Sequence, residues 1–206
     1  NGASTNLIST GNLNANSLTQ WGVDGGGTYK NFYTEGGYYA FSVDRQQGQS
    51  VADFDGWYAA VSWMLTGEQR RYDPTRGAFR TPVVLHPIGS PGVQGITNTG
   101  TITPGWGAWE LAVRYSTMDL DDLQFDPVAA DRVRGGLQDI WTFGVNWYVN
   151  SNVKLMLNWL HVDVDRLNPA GVGNLTPFGP APATPPLGVQ IGQDLDIYGL
   201  RTQYSF

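Results

Sequence analysis

The sequence predicts an all-β protein that crosses a membrane as an antiparallel β-barrel, and three features carry this prediction. Apolar and polar residues alternate from about residue 17 onward, which is the period of a β-strand. The alternating segments are about ten residues long or longer, enough for a tilted strand to cross a bilayer. Aromatic residues make up 13% of the chain and recur near the segment ends, as in the interfacial girdles of such barrels.

The composition narrows the class of protein further. Charged residues account for only 15% of the chain, against about 25% in soluble domains, yet the mean hydropathy is negative at -0.27. Strands with one apolar and one polar face satisfy both observations. The formal charge of -6 argues against a nucleic-acid partner, and the lack of cysteine excludes disulfides and thiolate metal sites.

Seven strands are predicted within a single barrel domain over residues 1–206, and residues 3–10 could form the end of an eighth. In one of them Trp141 and Phe143 alternate with Thr142 and Gly144, so that the first pair suits lipid and the second suits an interior. The predicted strands are 17–30, 31–45, 54–67, 106–119, 137–149, 152–165 and 192–206.

The lengths of the connections predict which end of the barrel faces outward. Barrels of this type have short periplasmic turns and long extracellular loops. The tight turn at 149–152 is therefore predicted to be periplasmic, and the connections 120–136 and 166–191 extracellular. Counting backward, 46–53 is an outer loop, whereas 68–105 is a periplasmic connection of unexpected length.

Two other classes of protein share the alternating pattern. A soluble β-sandwich that acts as a binding module is disfavoured, because the predicted strands exceed the usual five or six residues. A complete eight-stranded outer-membrane barrel, with side chains filling its lumen and a structural or binding role, is the closer alternative.

Catalysis and metal binding find little support among the polar residues. His86 and His161 are the only histidines, and no nucleophile-elbow motif is present, so no enzyme and no cofactor are predicted. His161 alternates with Asp163 and Asp165 and is interpreted as part of a solvated strand end rather than a metal site. An acidic loop lacks the ligand spacing of a calcium site and is interpreted as solvated. Its carboxylates are Asp119, Asp121, Asp122 and Asp126.

Several segments resemble the phosphate-selective porin O and P family, most clearly over residues 54–206. They include 54–58, 62–68, 107–116, 144–148, 152–159 and the ending 200–206. The resemblance implies a sixteen-stranded, trimeric barrel in the outer membrane of a Gram-negative bacterium, of which this chain supplies about the last eight strands. It also implies a passive diffusion channel for small hydrophilic solutes, with a possible preference for phosphate-like anions, and outer-membrane lipid around the barrel.

Charged residues are candidates for lining such a pore. Glu110, Arg114, Lys154 and Arg201 are predicted to face the interior of one barrel wall, either as a static charge network that fixes the strand register or as a field across the pore. The long connection 68–105 is predicted to fold into the pore and to present its guanidinium groups to passing anions; a periplasmic plug or a flexible tail is the alternative. These candidate constriction residues are Arg70, Arg71, Arg76 and Arg80.

The C-terminal residue is predicted to serve barrel assembly. Phe206 ends an alternating strand, and a terminal aromatic residue is the usual form of the assembly signal in this class of protein. Phe206 is therefore expected at the periplasmic rim on the lipid side, together with Tyr204, Leu200 and Tyr198, while Arg201 and Gln203 face inward.

Overall fold

A computed structural model describes residues 6–88, 105–128, 131–168 and 189–205. These residues form one seven-stranded antiparallel sheet and a small hairpin. None of their helices has the length and apolarity needed to cross a membrane. In chain order the strands are β1 (Ala15–Tyr29), β2 (Phe32–Arg45), β3 (Ala52–Met64), β4 (Tyr72–Asp73), β5 (Ala78–Phe79), β6 (Ala108–Asp122), β7 (Val133–Tyr148), β8 (Val153–Asp165) and β9 (Gln193–Tyr204).

The long strands follow one another in the order β1-β2-β3-β6-β7-β8-β9, and the hairpin β4–β5 lies outside this sheet. Each of the seven predicted strands overlaps one long strand, so the all-β antiparallel prediction is confirmed. The seven long strands have 12 to 16 residues.

The loop between β6 and β7 is shorter than the predicted 120–136. The two strands continue past a β-bulge, in which Gly135 and Gly136 of β7 oppose Leu120 alone. Gly136 has a φ of 98°, a backbone conformation that favours glycine at such a bulge. Its amide donates to the Asp121 carboxylate at 2.8 Å, which compensates for the interrupted ladder.

The prediction of an eighth strand at residues 3–10 is wrong for the part that the structure describes. Residues 6–14, here called the N-terminal segment, are not in a strand. Gly11 turns the chain with a φ of 72°, and the Ser9 amide donates to the Gly135 carbonyl at 2.8 Å. The segment thus crosses to β7 instead of extending the sheet beyond β1.

The strand register separates two chemically different faces. Residues that are paired across antiparallel strands share a face, and one row runs over six strands through apolar side chains only. The adjacent row of paired residues belongs to the opposite face, here called the polar face. On β3, β6, β7, β8 and β9 this row consists of Met64, Glu110, Asn146, Met156 and Arg201. The row on the apolar face consists of Phe32, Trp63, Leu111, Val145, Leu157 and Leu200.

Aromatic rings are frequent on the apolar face. Near one end of the strands the rings of Trp109 and Trp147 stack at 5.3 Å, and higher up Tyr115 contacts Trp57 at 5.1 Å and Trp141 at 4.9 Å. Trp109 and Tyr115 are six residues apart on β6, or about 20 Å along the strand. On β6 the interval holds Leu111 and Val113, while neighbouring strands carry further rings at the same levels, such as the stacked pair Phe143 and Trp159. An apolar face of aliphatic and aromatic side chains is typical of a lipid-facing surface.

Buried apolar clusters occur at both ends of the polar face, where segments outside the sheet pack on it. At one end Leu13 of the N-terminal segment packs against a cluster that includes Val43 and Phe54. At the other end Val84 packs against Met64, Ala108 and Tyr148. Val84 belongs to residues 65–88, here called the inserted segment, which follow β3.

Candidate functional site on the polar face

The inserted segment contacts the polar face through Arg70. The Arg70 Nη2 atom lies 2.7 Å from Oε1 of Glu110 on β6 and 3.3 Å from the hydroxyl of Tyr148 on β7. The guanidinium also lies 5.3 Å from the ring centre of Tyr33 on β2. One side chain therefore joins the inserted segment to three strands of the sheet.

The Glu110 carboxylate that accepts this contact is almost completely buried. Its side chain is 1% exposed, against 21% for Arg70. Asn146 Nδ2 and the Tyr148 hydroxyl donate to its second oxygen at 2.9 Å and 2.8 Å. A buried ion pair is tolerated when further hydrogen bonds satisfy the remaining lone pairs, so this network acts as a clamp, here called the Arg70 clamp.

The hairpin of the inserted segment carries its own charge pairs. Arg80 donates to Oδ2 of Asp73 from two nitrogens, at 2.8 Å and 3.0 Å, and Arg76 lies 3.7 Å from the same oxygen. Asp73 is buried, whereas the Arg76 and Arg80 side chains are 78% and 64% exposed. Phe79 contacts the ring of Tyr33 at 5.0 Å and so holds the hairpin near β2.

The four arginines that the sequence groups together thus differ in their surroundings. Arg70 is neutralised by Glu110, while Arg76 and Arg80 share Asp73 and stay exposed. Arg71 is exposed and makes no ion pair with the residues that the structure describes. The described part of the connection, residues 68–88, packs on the polar face, and the rest of 68–105 up to residue 104 lies outside the described residues.

Among the described residues no ion pair joins Glu110 to Arg114, Lys154 or Arg201. The register places all four on the polar face, but Glu110 pairs with Arg70 instead. Arg114 lies 4.4 Å from the ring centre of Tyr58, and the Lys154 ammonium lies 4.6 Å from that of Tyr148. Within the described ranges Arg114, Lys154 and Arg201 make no ion pair, and their lining of a pore stays a prediction.

Carboxylates of the polar face lie toward the other side of the sheet. Asp24 on β1 is opposite Gly37, and Glu35 on β2 is opposite Ala60. Since Ala60 is in turn opposite Arg114, acidic and basic side chains occupy neighbouring strands of the same face. A transverse field along the pore wall, the second role that the sequence suggests for Glu110, Arg114, Lys154 and Arg201, stays a prediction.

A contact at the opposite end joins two connections. Asp131 accepts hydrogen bonds from the Ser50 hydroxyl at 2.9 Å and the Ser50 amide at 3.1 Å, and its carbonyl accepts from Arg45 at 3.0 Å. The two hydrogen bonds from Ser50, with Arg45 nearby, lower the pKa of the Asp131 carboxyl. Sequence reasoning misses this contact, because 81 residues separate Ser50 from Asp131 and no local pattern marks the pair.

The candidate metal residues adopt other roles. His161 Nδ1 lies 3.0 Å from Oδ1 of Asp196 rather than near Asp165, and Asp121 accepts the bulge amide described above. In the ranges covered by the structure, no group of three or more histidines, cysteines or carboxylates is arranged to hold a metal ion. Phe206 lies outside the described residues, while Tyr204, Leu200 and Tyr198 share the apolar face.

Comparisons with known proteins agree with this architecture. The family model described as phosphate-selective porin O and P matches residues 1–177, including the N-terminal part where the sequence resemblance was looser. Porin O of Pseudomonas aeruginosa is 27% identical over 153 residues, which cover 71% of this chain and 30% of that protein. An uncharacterized protein of Caulobacter vibrioides is 30% identical over 121 residues, 59% of this chain and 20% of that protein.

The chain spans less than a third of the length of these two curated relatives, whereas the family model covers most of the chain. The porins of this family reside in the outer membrane of Gram-negative bacteria, and they are channels rather than enzymes. This chain therefore belongs to the phosphate-selective porin O and P family of outer-membrane proteins.

Proposed function

We propose that this chain forms part of the wall of a water-filled channel through which small hydrophilic solutes diffuse down their own gradients. The observation that carries the proposal is the opposite chemistry of the two faces of one sheet. The row from Trp63 to Leu200 is apolar throughout, whereas the adjacent row on the polar face contains Glu110 and Arg201. Charge facing lipid at mid-membrane costs about 2–4 kcal/mol per residue, so the polar face is expected to line water.

A preference for anions is part of the proposal. Arg114, Lys154 and Arg201 on the polar face have no carboxylate partner among the described residues, and Arg71 on the inserted segment is equally unpaired. Charges in a wide wet pore are screened over about 8 Å at physiological salt. Solutes that approach the wall within this distance would therefore meet these cations, and guanidinium groups bind phosphate or carboxylate in a bidentate manner.

We further propose that the complete barrel has sixteen strands and assembles as a homotrimer, as the family resemblance implies. The described sheet has seven strands whose edges, β1 and β9, are not paired with each other. Exposed strand edges invite pairing with further strands. Open edges require at least one further strand in either barrel, and the mass of the intact polypeptide and of its native oligomer discriminates between the sixteen-stranded trimer and the eight-stranded alternative.

The reversal potential across a planar bilayer under a salt gradient tests the anion preference. The protein that contains this chain would be reconstituted and compared with a variant carrying Arg71→Gln, Arg76→Gln and Arg80→Gln. We expect the reversal potential to shift toward lower anion selectivity, because three exposed guanidinium groups are removed. An unchanged reversal potential in a channel that still conducts would remove the inserted segment from the selectivity mechanism.

A further inference from the structure

A groove lies on the polar face about halfway along the strands. Its volume is about 580 Å³. Apolar groups from four strands dominate its surface, and a single cationic side chain projects at its edge. The residues that matter here are Tyr39, Phe41, Tyr58, Met118 and Ile140 for the apolar surface and Arg114 for the charge.

Two glycines allow the tyrosine rings to lie against the wall. A Cβ atom on Gly22 would come within 2.4 Å of the Tyr39 ring, and one on Gly37 within 2.8 Å of the Tyr58 ring. Both glycines lie inside strands, where glycine weakens the strand and often marks a close approach of another group. The rings therefore cover the backbone of β1 and β2 and leave Tyr39 38% exposed toward the groove.

Arg114 is held at the groove without being neutralised. Its guanidinium lies 4.4 Å from the centre of the Tyr58 ring, within the range of a cation–π contact. Such a contact orients the side chain but leaves its N–H groups free to donate. In the described part of the chain no carboxylate pairs with Arg114, so a bound anion would supply the missing acceptor.

The neighbouring charges limit the kind of anion that fits. On the same face, Glu35 lies two strands from Arg114 in the same row of paired residues, and Asp24 lies two strands from Tyr58 in the row of that tyrosine. Two carboxylates on the β1–β2 side of the groove disfavour a multiply charged ion, and a bare inorganic anion would leave the apolar surface of the groove uncovered. A single negative charge attached to a flat apolar ring matches both parts of the groove.

We propose that this groove is a binding site for aromatic monocarboxylates, in which the carboxylate accepts hydrogen bonds from Arg114 and the aromatic ring packs on Tyr39. The proposal rests on the channel function proposed above, and it adds a class of solute that the pore holds during passage. Ring–ring contacts favour offset or tilted geometries, which the open side of Tyr39 permits.

The test uses the full protein in a planar bilayer, with benzoate as the probe. Acetate serves as a probe with charge alone and benzyl alcohol as a probe with a ring alone, and the measured quantity is the concentration of each that reduces the chloride current by half. We expect benzoate to act at a lower concentration than either control probe. Tyr39→Leu should weaken benzoate by about threefold to tenfold and leave acetate unchanged.

Arg114→Gln and a matched control separate the groove from general electrostatics. Arg114→Gln should abolish the advantage of benzoate over benzyl alcohol. Arg201→Gln removes the same charge from the same face at a position outside the groove, and it should weaken benzoate and acetate by the same factor. Equal potency of benzoate and acetate in the unaltered protein, or an unaltered benzoate effect in Tyr39→Leu, would overturn the proposal.

Calorimetric titration of benzoate into the detergent-solubilised protein distinguishes failure of this proposal from failure of the channel function. A protein that binds benzoate through Tyr39 and Arg114 but conducts no chloride would contradict the channel and retain the groove as a binding site. A protein that conducts chloride but binds benzoate no more tightly than acetate would retain the channel and contradict the groove. Heat-modifiable migration on gels confirms that each variant is folded before it is compared.

Discussion

Removal of the Arg70 guanidinium is expected to release the inserted segment from the polar face. In Arg70→Gln, the Glu110 carboxylate would stay enclosed between β6 and β7 without the cation that now lies 2.7 Å away. Breaking a buried ion pair by removing one partner costs about 3–5 kcal/mol. Because Arg70 is itself 21% exposed, we expect the lower end of this range, about 3 kcal/mol, which changes the equilibrium between docked and released segment roughly 100-fold.

Two measurements follow the release of the segment. Limited proteolysis of the folded protein should cleave within residues 68–88 faster in Arg70→Gln than in the unaltered protein, since an undocked backbone is open to a protease. Single-channel conductance should increase, or fluctuate between two levels, because the segment no longer stays against the wall. The strands themselves should keep their heat-modifiable migration.

A double-mutant cycle with Glu110→Gln tests whether the effect of Arg70→Gln depends on the Glu110 carboxylate. Glu110→Gln removes the uncompensated charge, so Arg70→Gln combined with Glu110→Gln should cost less than the sum of the two single changes. Arg76→Gln is the matched control, since it removes an exposed arginine that lies 3.7 Å from Asp73 and does not contact Glu110. Additive effects of Arg70→Gln and Glu110→Gln, or equal cleavage in Arg70→Gln and Arg76→Gln, would contradict the role of the clamp.

Three further predictions concern the ends of the strands. Asp163 on β8 lies directly opposite Asp139 on β7 and Asp194 on β9, and like charges placed in this way are destabilising by up to about 1 kcal/mol per pair. Asp163→Asn should therefore raise the urea concentration at the midpoint of unfolding of the detergent-solubilised barrel. The gain in stability should be smaller at high salt. The pKa of Asp131 is lowered in the folded state, so its contribution to stability is present above its unfolded pKa and is lost as the pH falls through the folded value. Hydrogen exchange at the Ser50 amide should accordingly reveal a looser connection in acid relative to an Asp131→Asn control, and an identical acid response in both proteins would exclude Asp131 as the cause. Deletion of Phe206 should reduce insertion into the outer membrane, and an unchanged yield of heat-modifiable protein would count against the assembly signal.

The sequence was sufficient for the strands and their faces because a period of two decides both at once. Trp63, Leu111 and Leu157 share a face with their cross-strand partners, and any single-residue slip would have moved all of them to the polar side. The contacts that hold the segments outside the sheet onto its polar face do not follow from a local pattern in the sequence. Arg70 and Glu110 are 40 residues apart, and only the sheet brings β6 beneath the inserted segment.

The N-terminal segment shows how a local pattern can mislead. The sequence predicts the end of a strand at residues 3–10, yet the Ser9 amide donates to the carbonyl of Gly135 in the bulge, and Leu13 packs against an apolar cluster that includes Val43. An apolar residue that packs into a distant cluster cannot be distinguished in the sequence from an apolar residue that faces lipid. The sequence also treats Arg70, Arg71 and Arg76 alike, because proximity along the chain carries no information about which of them finds a carboxylate.

The connection between β3 and β6 begins and ends at the same place in the sheet. Met64 and Glu110 are direct partners across β3 and β6, and the Leu65 amide still donates to the Trp109 carbonyl at 2.8 Å. The ladder could therefore be closed by a tight hairpin turn in place of the connection, provided that Glu110→Gln relieves the carboxylate left behind. A different peptide could therefore be grafted in place of the connection, which would change the side chains on the polar face without a change in any strand.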